Sequence, residues 1–276
     1  MRKLMSANLS RLWKDKIFWI GMLIMTAYSV ISMLNGCRQA TLDMSEFNYM
    51  LDHYYFAGMP VIGIFIAVFI GLFLGTEHSD GTMRNKLIVG HTRTKVYLAN
   101  LATTFIASLM MLAVWFIGGL VGIPTLGTWQ MGISGLVVYI SISILMVAAM
   151  CAIFTPICML STNKAVTAVL CILLCLGVIL SGSMFYNALC EPEMSSGVMI
   201  TADGMQMGEP TPNPNYVSGM KRIVYEFLAD FIPTGQGIQM ADLAVAHPAR
   251  MMLSSAFIVI MVTLCGAFIF KHKDLK

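Results

Sequence analysis

The stretch from Val96 to Asn163 reads VYLANLATTFIASLMMLAVWFIGGLVGIPTLGTWQMGISGLVVYISISILMVAAMCAIFTPICMLSTN and contains no Asp, Glu, Lys, Arg or His. A water-exposed domain of ordinary composition, with about a quarter of its residues charged, does not run so far without one. The stretch therefore belongs in lipid, where a helix needs about 20 apolar residues to cross the hydrocarbon core. It is too long for a single crossing. Pro124, Gly127, Trp129 and Gln130 interrupt it, predicting a short turn with an aromatic at the membrane interface. The expectation is a helical hairpin of two spans.

Working outward, the whole chain is 58% hydrophobic and 11% charged. Apolar runs at 17–36, 56–75, 98–122, 132–160, 166–189 and 251–270 predict six spans in an all-α integral membrane protein. The first run lacks a clear small-x-small cleavage site and is followed by more spans, so it reads as a retained span and not as a signal peptide.

With the spans drawn, Arg2, Lys3, Arg11, Lys14, Lys16, Arg84, Lys86, Arg93, Lys95, Lys164, Lys271, Lys273 and Lys276 fall on one side. Only Arg38, Lys221, Arg222 and Arg250 fall on the other, together with Asp43, Glu46, Asp52, Glu191, Glu193, Asp203, Glu209, Glu226, Asp230 and Asp242. Basic loops stay in the cytoplasm, so both termini are predicted there, N-in and C-in. The net charge of +3 points to no nucleic-acid partner; the bases sit where anionic lipid headgroups attract them. Cys151, Cys158, Cys171, Cys175 and Cys265 lie within spans, where a small polarisable side chain packs. Cys37 and Cys190 are external and could form a disulfide in an oxidising compartment; the alternative is two free thiols.

The chain divides into a leader helix over 1–16 and a six-span domain over 17–276. In the leader, Leu4, Met5, Leu9, Leu12 and Trp13 recur at helical spacing among Arg2, Lys3, Arg11 and Lys14, predicting an amphipathic helix on the inner leaflet. The loop over 190–250 is the one large external region. Its first part is rich in Pro, Gly, Ser and Met and predicts irregular structure. From Val217 to Phe231 the apolar residues recur every three or four, predicting an external amphipathic helix ended by Pro233. Gly71 with Gly75, and Gly118 with Gly122, have the spacing that lets helices approach closely.

Absences narrow the function. No G-x-x-x-x-G-K-[ST] phosphate loop is present, so the chain shows no ATPase of its own, and no H-E-x-x-H occurs. The five histidines lack metal-ligand spacing. The predicted span interiors hold no carboxylate or histidine, which leaves no visible ion-coupling site. No paired acids or triad within the spans point to a membrane enzyme.

The segment over 76–97 stands apart. It is a polar connector between the second and third spans, with Gly81 and Gly90 at turn or cap points. The order Glu77, Gly81, Thr82, Arg84, then Gly90 and Arg93 resembles the E-x-x-x-G-T-x-R … G-x-x-R signature of ABC-2 type permeases. The leader helix, the six spans and Pro233-Thr234-Gly235 in the last external loop fit the same layout. The resemblance implies an exporter half in the cell membrane of a bacterium: two permease chains, identical or not, docked on separate cytoplasmic ATPases that use ATP and magnesium. It also implies that 76–97 is the ATPase-coupling segment, with Glu77 and Arg84 as its polar contacts and none of these residues catalytic. The cargo is open; 25 methionines suit an adaptable surface for an amphipathic or peptide-like molecule, or plain apolar filling. The competing reading is an antimicrobial-peptide immunity or sensing subunit acting through the 190–250 loop.

Overall fold

The computed structural model describes residues 1–42, 51–127, 129–161, 163–201 and 204–273. Asp43, Glu46, Asp203 and Lys276 of the charge pattern above lie outside the described residues.

Helix α1 (Arg2–Lys14) is followed at once by α2 (Lys16–Leu42). Asp15 separates them and caps the second, its Oδ1 accepting from the amides of Ile17 at 2.7 Å and Phe18 at 3.4 Å. Then come α3 (Leu51–Phe56), α4 (Met59–Ser79), the short α5 (Thr82–Ile88) and α6 (Arg93–Gly119). A 3-10 turn over Leu120–Gly122 and α7 (Ile123–Leu126) lead to α8 (Gly132–Leu160). Asn163 caps α9 (Lys164–Cys190) by accepting from Ala165 and Val166 at 2.9 and 3.3 Å. Strands β1 (Met194–Thr201) and β2 (Gly204–Pro212) precede α10 (Gly219–Phe231), α11 (Pro233–Ala241) and α12 (Pro248–His272).

Among the described residues six helical stretches are long and apolar enough to cross a membrane: Lys16–Leu42, Leu51–Glu77, Arg93–Leu126, Gly132–Leu160, Lys164–Cys190 and Pro248–His272. These are the six predicted runs; the fourth keeps its predicted bounds and the others are extended by between three and nine residues in all. The uncharged block does fold back on itself, α6 packing against α8. Gly71 and Gly75 both face α9, where an added Cβ would lie 3.0 Å from Ala168 Cα and 3.1 Å from Lys164 Cγ. Gly118 and Gly122 both face α2, against Ser29 and Met33. Both small-residue pairs are therefore real helix contacts.

Two expectations need correction. The fold is not purely α-helical, because 194–212 forms an antiparallel hairpin with Thr201 opposite Gly204 and a bulge between Ser196 and Val198. The Pro and Gly count predicted irregular chain; the Asp203-Gly204 pair flanked by β-formers was the contrary signal. Pro233 does not simply end a helix either. It is the first residue of α11, where its missing amide costs nothing.

Helix α11 is almost wholly buried, including Thr234, Gly235, Gln236 and Gln239, and packs on α4, α8 and α9. Polar groups there are matched internally. Thr234 Oγ1 donates to the Val178 carbonyl at 2.5 Å, and Ser255 Oγ donates to Gln236 Oε1 at 3.0 Å. Asp230 is buried as well, pairing with Arg250 at 2.5 Å and accepting from Gln239 Nε2 at 3.0 Å. The apolar stripe of α10, Met220, Ile223, Val224 and Phe227, faces outward. Eight buried methionines (Met25, Met33, Met59, Met111, Met146, Met150, Met240 and Met251) belong to the main core. Their role there is packing.

Candidate coupling site

At the end of the bundle that carries α1 and α5, four polar side chains meet around Glu77. Glu77 lies in the last turns of α4 and is fully buried. Its Oε1 contacts Arg11 Nη1 of α1 and Lys86 Nζ of α5, each at 2.5 Å. Its Oε2 accepts from Asn100 Nδ2 of α6 at 2.7 Å. Asn8 Nδ2 donates to Asn100 Oδ1 at 2.8 Å, and Lys86 Nζ reaches Asn8 Oδ1 at 2.8 Å and Asn100 Oδ1 at 3.3 Å. Met159 of α8 closes the group, its sulfur 3.3 Å from Asn100 Nδ2.

Each member is placed by its helix. Leu4, Asn8 and Leu12 form the buried face of α1 at i, i+4, i+8, so Asn8 is the polar centre of an otherwise apolar stripe. Trp13, predicted to share that stripe, is 49% exposed. Arg11 lies with its guanidinium 4.0 Å from the centre of the Phe73 ring and donates to the Phe73 carbonyl at 2.9 Å. A carboxylate removed from water is tolerated only when paired and hydrogen-bonded, and here both oxygens are occupied. Burial pushes the Lys86 ammonium below the usual lysine value; the Glu77 carboxylate opposes that and the Arg11 charge adds to it.

Helix α5 is short, and its ends are set by glycine. Gly81 at φ 67° precedes it and Gly90 at φ 95° follows it, each with open space where a side chain would go. After α5, Gly90 N–H donates to the Leu87 carbonyl at 2.9 Å and His91 N–H to the Lys86 carbonyl at 3.3 Å. That pair of bonds is a Schellman stop, which needs the left-handed residue glycine supplies. Thr82 Oγ1 donates to the Glu77 carbonyl at 3.1 Å, tying the start of α5 to the end of α4.

The six signature residues thus separate into roles. Glu77 and Thr82 join α4 to α5, Gly81 and Gly90 shape the connector, and Arg84 is exposed on α5 beside Ile88 and Val89, which are 74% and 76% exposed. Arg93 sits elsewhere, donating to the carbonyls of Lys271 and Lys273 at the end of α12. Lys273 Nζ in turn donates to the Leu160 carbonyl at 2.6 Å, at the end of α8; burial pushes this ammonium down too. The expectation that Glu77 is presented to a partner is corrected: its carboxylate turns inward because Arg11, Lys86 and Asn100 converge on it. Cys37 and Cys190 are both free thiols, so the bridge between them is not formed. Cys37 sits beside Tyr54 near the end of α2, and Cys190 lines a separate cavity with Tyr186 and Asp230.

The family model for ABC-2 family transporter proteins matches residues 4–182. The chain belongs to the ABC-2 transporter family. No curated protein matches it. The matched region runs from α1 into α9 and contains every member of the Glu77 cluster, so the site lies in the part that this ABC-2 permease shares with its family. As a multi-pass transport permease it is not itself a catalytic enzyme, and its family in general works with ABC ATPases. Asn8, Arg11, Lys86 and Asn100 carry the cluster without belonging to the signature. Asn8 in the middle of an apolar stripe was the one sequence signal for them.

Proposed function

We propose that this permease is the membrane half of an ABC exporter, with its α5 end in the cytoplasm and a separate ATPase subunit docked on α5. The observation that carries this is the two-sidedness of α5. One side offers Arg84, Ile88 and Val89 to a partner; the other anchors Lys86 in a buried polar cluster shared by α1, α4 and α6. A push on the exposed side reaches spans two and three through Lys86, whose ammonium is bonded to Glu77 of α4 and Asn100 of α6. The basic residues gathered at this end support its cytoplasmic placement in a bacterial cell membrane. Two permease chains, identical or paired with a homologue, would form the path for an amphipathic or peptide-like cargo. ATP and magnesium belong to the partner.

The test is copurification of tagged full-length chain from native membranes in mild detergent. An ATP-hydrolysing subunit is expected with wild type and is expected to be lost or weakened by Arg84→Glu or Ile88→Asp at unchanged thermal stability. If no such subunit is recovered even after gentle crosslinking, the exporter reading fails.

A further inference from the structure

One buried carboxylate needs one counter-charge, yet Glu77 has two. Arg11 and Lys86 both reach the same oxygen, Oε1, at 2.5 Å, leaving a surplus positive charge inside the cluster. We propose that Glu77 is a shared counter-charge, with Arg11 its permanent partner and Lys86 a breakable one, so that α5 can leave the bundle without stranding a buried acid. The movement of α5 rests on its docking an ATPase; the arrangement of charge does not.

The two cations are held differently. Arg11 is bound three ways to α4: to Glu77 Oε1, to the Phe73 carbonyl at 2.9 Å and over the Phe73 ring at 4.0 Å. A planar guanidinium gripped by an acid, a carbonyl and an aromatic face on one helix moves only with that helix. Lys86 is a point charge on a flexible stem, and its three acceptors sit on three different elements: Glu77 on α4, Asn8 on α1 and Asn100 on α6. Its charged state is also the one penalised by burial and by Arg11.

The rest of α5 fits a removable piece. Met83 is its one buried side chain, and positive-φ glycines flank it on both sides with nothing packed against them. If Lys86 withdraws, Glu77 keeps Arg11 on Oε1 and Asn100 on Oε2, and Asn100 Oδ1 keeps Asn8 Nδ2. Only the neutral Asn8 Oδ1 loses its partner, and water entering behind α5 replaces it. If Arg11 were the one to leave, α1 would lose its tie to α4.

The test is a mutant cycle on the full-length chain in nanodiscs, read by thermal unfolding and by hydrogen exchange. Lys86→Met should lower Tm little and speed exchange over 82–88 while 3–14 stay protected. Arg11→Met should lower Tm clearly and expose 3–14. The double variant should lose more than the sum of the two, because Glu77 is then buried without a counter-charge, and adding Glu77→Gln should recover most of that excess. Additive losses, or Lys86→Met releasing α1 as fully as Arg11→Met does, would overturn the shared counter-charge. The cycle is read on the permease alone, so its outcome is independent of whether an ATPase docks on α5.

Discussion

Gly90 holds φ at 95°, a conformation that costs an L-residue with a Cβ about 1–2 kcal/mol. Since nothing would touch the added methyl, Gly90→Ala should cost that strain alone. The expected result is faster hydrogen exchange over 86–91 with the spans unaffected; unchanged exchange there would mean that the Schellman stop does not hold α5. Lys86 gives a prediction with a definite sign. Its folded value is lowered, so between that value and the ordinary lysine value the unfolded chain binds the extra proton and stability rises with pH. Chemical unfolding across the alkaline range should therefore favour wild type increasingly over Lys86→Met; a constant difference would rule the titration out. At this scale the sequence was partly legible. The glycines announced their turn positions, whereas Glu77 read as a polar contact offered to an ATPase, because nothing in its neighbours shows that Arg11 and Asn100 converge on it from distant helices.

The elements at the opposite end meet at a second ion pair, formed around the buried Asp230. Asp230 of α10 meets Arg250 of α12 at 2.5 Å and Gln239 of α11 at 3.0 Å. Asp230 is almost fully buried, but Arg250 is 32% exposed and His247 Nδ1 lies 3.5 Å from the same carboxylate oxygen, so Arg250→Met weakens the pairing without removing every partner and should cost about 1–3 kcal/mol. Adding Asp230→Asn should return most of it in thermal unfolding. Equal Tm values for the single variant and wild type would show that water already solvates Asp230. Apolar periodicity gave away the spans and α10, since lipid and helix geometry leave little choice over 20 residues. It was blind to α11, whose Pro, Thr, Gly and Gln are small or internally bonded and bury for reasons no hydropathy pattern carries.

For the whole molecule, the charge pattern predicts that the α5 end faces the cytoplasm and the α10 end faces out. Cys190 is exposed at the end of α9, which makes orientation measurable. In a variant keeping Cys190 as its sole cysteine, a membrane-impermeant maleimide should label intact cells; a cysteine placed at Arg84 in the same background should react only after lysis. The reverse pattern would invert the topology and remove α5 from reach of any cytoplasmic ATPase. The cations past the spans carry a last consequence. The carbonyl of Leu160, at the end of α8, accepts from Lys273, and the carbonyls of Lys271 and Lys273, at the end of α12, accept from Arg93. The end of α8 is thus completed by a residue translated long after that helix has entered the bilayer. A nascent chain stalled within α12 would hold every span but the last and still have one frayed helix end and one idle guanidinium, giving membrane quality control a physical mark of an unfinished permease.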